Sequence, residues 1–257
     1  IKNTKYKKIY IPPSPGDSGG AIGAASFFLN KKYKISNKYA DNPYLGPEYD
    51  SDNIKQLLIK NNKEIEDKNI NIKKFDTIDS LLSVTAKLIA EGNIIGFFQG
   101  RMEWGPRALG NRSILADPRN SNIREILNVK IKKREEFRPF APSIIKEKVS
   151  EWFEINDDVP FMSKVFQIKN MKRKLIPAVT HVDGSGRLQT VTKELNENYY
   201  KLINYFYRIT GIPMLLNTSF NENEPIVCDP SQALDCFLRT KMDYLIMQDY
   251  LLGRENF

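Results

Sequence analysis

Arginine is the residue type in this chain whose placement could do the most chemistry. The run Gly100-Arg101-Met102-Glu103-Trp104-Gly105-Pro106-Arg107-Ala108-Leu109-Gly110-Asn111-Arg112-Ser113 follows a short apolar stretch. Its three guanidinium groups and glycine-flanked backbone N–H groups could converge on one anion. Loops leaving the carboxyl ends of strands are common ligand sites in α/β folds. Spacing alone leaves a second reading equally open: a solvated loop whose arginines pair with Glu103 and Asp117. The chain contains no Gly-x-x-x-x-Gly-Lys-Ser/Thr run, which excludes a P-loop.

Other segments add donors. Lys130, Lys132, Lys133 and Arg134 lead into Phe137-Arg138-Pro139-Phe140, where proline fixes the backbone beside a guanidinium. Basic runs are usually solvated faces, and this one by itself is weak support for an anion site. Thr180-His181-Val182-Asp183 leads into a Gly184-Ser185-Gly186 bend and Arg187; a hairpin turn with His181 in a polar contact accounts for it more simply than a ligand site. Asn217-Thr218-Ser219 follows an apolar run and could bond a base, ribose or phosphate, or close a turn. Asp17, in an acidic turn ahead of Gly19 and Gly20, is an N-cap or a metal ligand. His181 is the only histidine, so this chain by itself can form no histidine-pair metal site.

These segments need elements to position them. Asp76 is the predicted N-cap of a helix on which Ile78, Leu81, Leu82, Leu88 and Ile89 share a stripe, ended by Gly92. Residues 93–98 read as a buried strand, with further strands expected at 143–145, 161–168, 179–182, 213–216 and 244–247. Helices are expected at 123–130, 195–210 and 231–239. Such alternation predicts an α/β sheet layered with helices. Ahead of it, residues 8–11 read as a strand and 18–29 as a helix rich in Gly and Ala, too small to fold alone. Residues 50–74 are polar, with a short helix at 51–60 and a linker-like remainder.

Composition sets outer bounds. At 257 residues the chain holds one large domain, or one domain and part of another. No apolar run approaches a membrane span, and Ile1 opens neither a signal peptide nor an initiator methionine, so the chain is expected to lie within a longer product. Cys228 and Cys236 are too few for a disulfide framework and are expected to pack as apolar residues in a reducing cytoplasm. The net charge of +8 suits acidic partners, but Lys and Asn are spread through every surface stretch, so it weighs little.

Taken together, GRMEWGPRALGNRSILADPR (100–119), KKREEFRPFAP (132–142), HVDGSGRLQTV (181–191) and PMLLNTSFNENEPIV (213–227) resemble the C-terminal domain of the NodU/CmcH/TobZ-family carbamoyltransferases. The resemblance covers nearly the whole chain, because PPSPGDSGGAIGAA (12–25) and NPYLGPEY (42–49) look like the end of that family's N-terminal domain. It implies an α/β fold: a YrdC-like twisted mixed sheet with flanking helices over 76–257, a linker over 48–75, and over 1–47 the remnant of an actin-like ATPase-fold domain. The implied activity is formation of carbamoyl-adenylate from carbamoyl phosphate and ATP with Mg²⁺, for transfer to a substrate hydroxyl in the N-terminal domain. By resemblance Arg107, Lys132, Arg138 and Arg187 are catalytic and hold the phosphates. Arg101, Asn111, Arg112, Ser113, His181, Asn217, Thr218 and Ser219 lie on the substrate and nucleotide side. Asp17 matches a ligand of the transfer domain's Fe²⁺, a site complete only in the two-domain enzyme. The competing readings are a basic RNA-binding module and a regulatory remnant. The first lacks interleaved basic and aromatic residues, and the second sits poorly with four retained cations. Neither a membrane nor a nucleic acid is an expected partner.

Overall fold

The computed structural model describes residues 4–6, 9–35 and 41–254. Helix α1 (Gly19–Tyr33) comes first, and none of its residues is buried. Residues 9–11 are irregular, so the strand expected at 8–11 is not formed there, and Lys8 lies outside the described residues.

The stretch expected to be a linker is built into the fold. Asp50 caps α2 (Ser51–Lys60) by accepting from Asn53 N at 2.8 Å, while Asn53 Oδ1 accepts from Asp50 N at 3.1 Å, a reciprocal capping box. Helix α3 (Asn62–Asp67) and strand β1 (Asn71–Lys74) follow, and Ile54, Leu58, Ile65, Ile70 and Phe75 are all buried. The polar composition was misleading because β1 is an edge strand whose four side chains are exposed. Its backbone pairs antiparallel with the last strand of the sheet.

Helix α4 (Ile78–Ala90) is capped one residue after the expected Asp76: Thr77 Oγ1 accepts from Ser80 N at 3.2 Å. Strands β2 (Ile95–Phe98) and β3 (Arg112–Ala116) pair antiparallel across the first arginine loop. Helix α5 (Ile123–Glu125) runs on into a π-helical turn, Ile126–Ile131. Then come β4 (Ala141–Ile145), α6 (Val149–Trp152), β5 (Lys164–Gln167), α7 (Asn170–Arg173) and β6 (Ser185–Val191). The strand expected at 179–182 is not formed: Val179 ends a 3₁₀ turn begun by Pro177, and strand structure resumes only at Ser185. The chain closes with α8 (Glu197–Thr210), β7 (Met214–Ser219), α9 (Pro230–Arg239), β8 (Tyr244–Met247) and β9 (Tyr250–Gly253).

The nine strands form one mixed sheet in the order β1-β9-β8-β2-β3-β7-β4-β6-β5, so the expected α/β class holds. The pairs β2–β8 and β4–β6 are parallel and the others antiparallel. Side chains alternate across a strand, so adjacent Phe97 and Phe98 go to opposite faces. Phe97 meets Tyr199 of α8, ring centroids 6.4 Å apart, and Phe98 meets Tyr49 at 6.0 Å. Helices α4 and α8 pack on each other, and α9 packs against β2 and β8.

Residues 43–47 belong physically to the sheet unit. Met102 N donates to Pro47 O at 2.9 Å and Gly46 N to Met102 O at 3.0 Å. Tyr44 is buried and donates to Leu109 O at 3.0 Å.

Candidate functional site

Three segments meet in one place: the 99–111 loop between β2 and β3, the 132–140 loop between the π-helical turn and β4, and the end of β7. The first loop is organised by a carboxylate. Glu103 is buried, and its Oε1 accepts from Leu109 N and Asn111 N at 2.7 Å and from Arg112 N at 3.3 Å. Burial raises the Glu103 pKa, opposed by those backbone donors and by Arg112. Gly110 (φ +114°) is required here, because a Cβ would sit 2.3 Å from the Tyr199 ring. The pairing of loop arginines with Glu103 and Asp117 is not what forms: Glu103 holds backbone, and Asp117 accepts from Arg119 Nε at 2.9 Å.

The second loop is set by a change of helical pitch. Lys132 N donates to Leu127 O at 2.8 Å, the five-residue closure of a π turn. Lys133 then adopts the left-handed region (φ +43°), so successive side chains take unlike directions. Lys132 goes inward and is fully buried; its Nζ donates into a cage of Ser219 O, Ser219 Oγ (3.3 Å), Asn221 O (2.7 Å) and Asn221 Oδ1 (2.6 Å). Burial, then the Arg134 charge, pulls its pKa down to about 7, while four acceptors favour the ammonium form. Lys133 pairs with Glu222 at 2.5 Å. Arg134 turns back, donating Nε–H to Asn128 Oδ1 at 2.8 Å and lying over the Phe140 ring at 5.1 Å.

Between these loops lies a cavity of about 260 Å³, lined by Arg107, Arg134, Arg138 and Arg187 together with Asn217, Thr218 and Ser219, with no carboxylate in the lining. Burial and the neighbouring Arg107 and Arg134 charges lower the Arg187 pKa to about 10; burial and Arg138 lower that of Arg134. Like charges held this close are costly unless an anion joins them. Arg187 Nε and Asn217 Oδ1 are buried with no hydrogen-bond partner among the described residues, a sign of a site made for something else. Asn217 is otherwise fixed: its Nδ2 donates to Ala108 O (3.2 Å), Ser143 Oγ (3.1 Å) and Gln189 Oε1 (3.1 Å).

Of the expected residues, Arg107, Arg138, Arg187, Asn217, Thr218 and Ser219 are thus brought together. Lys132 stands behind the lining as a brace for the 219–221 turn. Arg112 is a staple, with its guanidinium 3.6 Å over the Phe98 ring and donating to the carbonyls of Gln99, Asn111, Pro47 and Gly100. Ser113 Oγ accepts from Gly110 N, and Asn111 bonds Arg101 O and Asn196. Arg101 lies out towards Leu45 O and Glu48. His181 sits in the simple turn, its Nδ1 3.1 Å from Ser185 Oγ. Sequence reasoning named Arg134 within the basic run but did not single it out as a site residue; its place in the lining depends on the bond to Asn128, which sequence alone does not show.

Neither metal expectation finds a ligand set here. The lining offers Mg²⁺ no carboxylate. Asp17 is exposed, and no cluster of His, Cys, Asp or Glu suited to a metal occurs among the described residues. No helix among the described residues is long and apolar enough to cross a membrane.

NolNO of Sinorhizobium fredii is 43% identical over 262 residues, covering 100% of this chain and 37% of that protein. NolO of Bradyrhizobium diazoefficiens is 40% identical over 97% of this chain and 45% of its own length. An uncharacterized protein of Synechocystis sp. is 39% identical over 99% of this chain and 45% of its length. The chain therefore spans less than half the length of these relatives. Among solved structures, HypF of T. kodakarensis aligns at TM-score 0.47 and 16% identity over 72% of this chain and 23% of that one, a likeness too partial to bear on activity. The family described as Carbamoyltransferase C-terminus matches residues 86–254, a span that contains every arginine of the pocket, and the chain belongs to that family.

Proposed function

We propose that this chain carries the adenylate-forming half of an ATP-dependent O-carbamoyltransferase. The observation that carries the reading is a 260 Å³ cavity with four guanidinium groups and no carboxylate in its lining. Carbamoyl phosphate and ATP bring many negative charges into one place, and their mutual repulsion is the main obstacle to reaction. Arg107, Arg134, Arg138 and Arg187 screen it, and the Asn217-Thr218-Ser219 edge bonds the nucleotide. Carbamoyl phosphate and one water give carbamate and inorganic phosphate. A carbamate oxygen then attacks the α-phosphorus in line and pyrophosphate leaves. Rigid donors aimed at the developing charge supply the stabilisation. Transfer to a substrate hydroxyl belongs, on this reading, to a separate N-terminal domain.

Pyrophosphate release by the purified chain with ATP, carbamoyl phosphate and Mg²⁺ tests this directly. Arg187→Ala should lower the rate by about 100-fold, the worth of a charge-assisted contact of roughly 2–3 kcal/mol, with the thermal midpoint unchanged. Loss of the thermal transition with full activity per folded molecule would make Arg187 structural instead. No sugar or alcohol should be carbamoylated, even with added iron; any such product would overturn the division into two sites. Salt-dependent RNA binding without adenylate formation would favour a binding module.

A further inference from the structure

The pocket contains a problem that its lining does not solve. Four guanidinium groups converge where no carboxylate stands in the lining; Arg138 pairs with the exposed Glu135 at 2.9 Å, and that same carboxylate partly offsets the charge around Arg134. Before a ligand arrives, their repulsion should swing the flexible side chains outward. Arg134 is subject to this, because it borders both Arg138 and Arg187 in charge.

Asn128 opposes that motion. It sits in the π-helical turn with no solvent exposure, yet it makes no bond to the core around it. Its whole amide is spent on the pocket loop. Oδ1 accepts from Arg134 Nε at 2.8 Å, and Nδ2 donates to Glu136 O and Arg138 O, both at 3.0 Å. Its backbone carbonyl accepts from Arg134 N at 3.0 Å. One buried side chain therefore fixes the guanidinium of Arg134 and the backbone from which Arg138 projects. The five-residue closure at Leu127–Lys132 lies across the same turn that carries it.

The chemical identity of the group matters. A carboxylate at this position would hold Arg134 more strongly, but it would cancel one positive charge of the pocket and put an acceptor oxygen, in the place of Nδ2, against the carbonyls of Glu136 and Arg138. A neutral amide orients the guanidinium and leaves its charge for the ligand. We infer that Asn128 is a positioning residue that preorganises Arg134 and Arg138 for an anionic, phosphate-bearing ligand while keeping the pocket's charge intact. This rests on the reading of the cavity as an anion site.

Inorganic pyrophosphate is the probe, with affinity measured by calorimetry on the whole chain and thermal midpoints recorded for every variant. Arg134→Ala should weaken binding by about 10- to 100-fold, and Asn128→Ala by about 10-fold. The combined variant should lose less than the product of the two single losses, because one change acts through the other. Asn128→Asp, nearly the same shape, should weaken binding at least as much as Asn128→Ala and flatten its salt dependence, since one net charge has left the pocket. Arg134→Lys keeps the charge but cannot offer the Nε–H that Asn128 receives, and should bind nearly as weakly as Arg134→Ala. It covers the case in which Asn128 variants do not fold. A merely structural Asn128 would lower the midpoint and leave the affinity of the folded fraction and its salt slope untouched, which overturns the inference. So would wild-type affinity in Arg134→Lys. If Arg187→Ala abolishes binding while these variants bind normally, the inference fails and the anion site stands. If the unaltered chain binds no pyrophosphate, both fall.

Discussion

Helices α1 and α8 are almost the same length, 15 and 14 residues, and have opposite fates. Helix α8 is entered through Asn196, whose side chain accepts from Tyr199 N at 3.1 Å, and is ended by Gly211 at φ +73°. Between them Tyr199, Leu202, Ile203 and Phe206 are buried, a stripe of three- and four-residue steps. Helix α1 has no side-chain cap at Ser18 and buries none of its residues. Its large side chains, Phe27, Phe28 and Tyr33, are each more than half exposed. The contrast teaches that the sheet unit draws nothing from α1: one helix is held by tertiary burial, the other stands on local bonds alone. The Gly and Ala residues at its start suit close backbone contact with another surface, in keeping with the neighbouring domain that the resemblance implies for the chain's first part, residues 43–47 apart.

The sharpest way to break this comparison is to remove one aromatic ring from each helix. Phe206→Ala, deep against the sheet, should cost about 3–5 kcal/mol in denaturant unfolding, and Phe28→Ala less than about 0.5 kcal/mol. Equal losses would show that α1 is packed in solution. Hydrogen exchange gives a graded version. Amides of α8 should open only with global unfolding, while those of residues 19–29 exchange by local fraying orders of magnitude sooner. Global-level protection across α1 in a monomer would place it within the sheet unit. The smallest effect is expected from Ala24→Pro. It should remove a few residues' worth of helical signal by circular dichroism and leave the thermal midpoint in place. A fall of several degrees would mean that the core relies on α1 after all.

The two helices also mark what a sequence discloses. Strong caps and period were enough for α2, α4, α8, α9 and β8, all located within a residue or two of where they lie. Strands β1, β3, β6 and β9 were not anticipated, the first three each for a physical reason. Strand β1 is an edge made of Asn, Ile and Lys, and its pairing is entirely in the backbone. Strand β3 opens with Arg112 and Ser113, which read as loop because nothing local shows that four carbonyls await that guanidinium. Strand β6 emerges from a Gly-Ser-Gly turn and carries Arg187 out into the pocket. The pocket itself was legible as residue types, with three of four expected catalytic cations in its lining. Their directions were not. Lys132 and Arg134 are two positions apart in one basic run, and a π turn and a left-handed Lys133 send one behind the lining and the other into it.

The order of the sheet has a consequence for the sequence of events during synthesis. Strand β1 finds its partner in β9, and β2 lies between β3 and β8, so residue 71 waits for residue 253 and residue 95 for residue 244. The pairs β1–β9, β2–β8 and β3–β7 each join residues a hundred or more apart, and such pairings form slowly because a long loop must close before any bond rewards it. A nascent chain leaving the ribosome therefore has β1 and one side of β2 unpaired until its final strands appear. Translation, and not local propensity, times the closing of this sheet. Its arginine pocket, built from segments between residues 99 and 219, can take shape before the sheet's own edge is sealed.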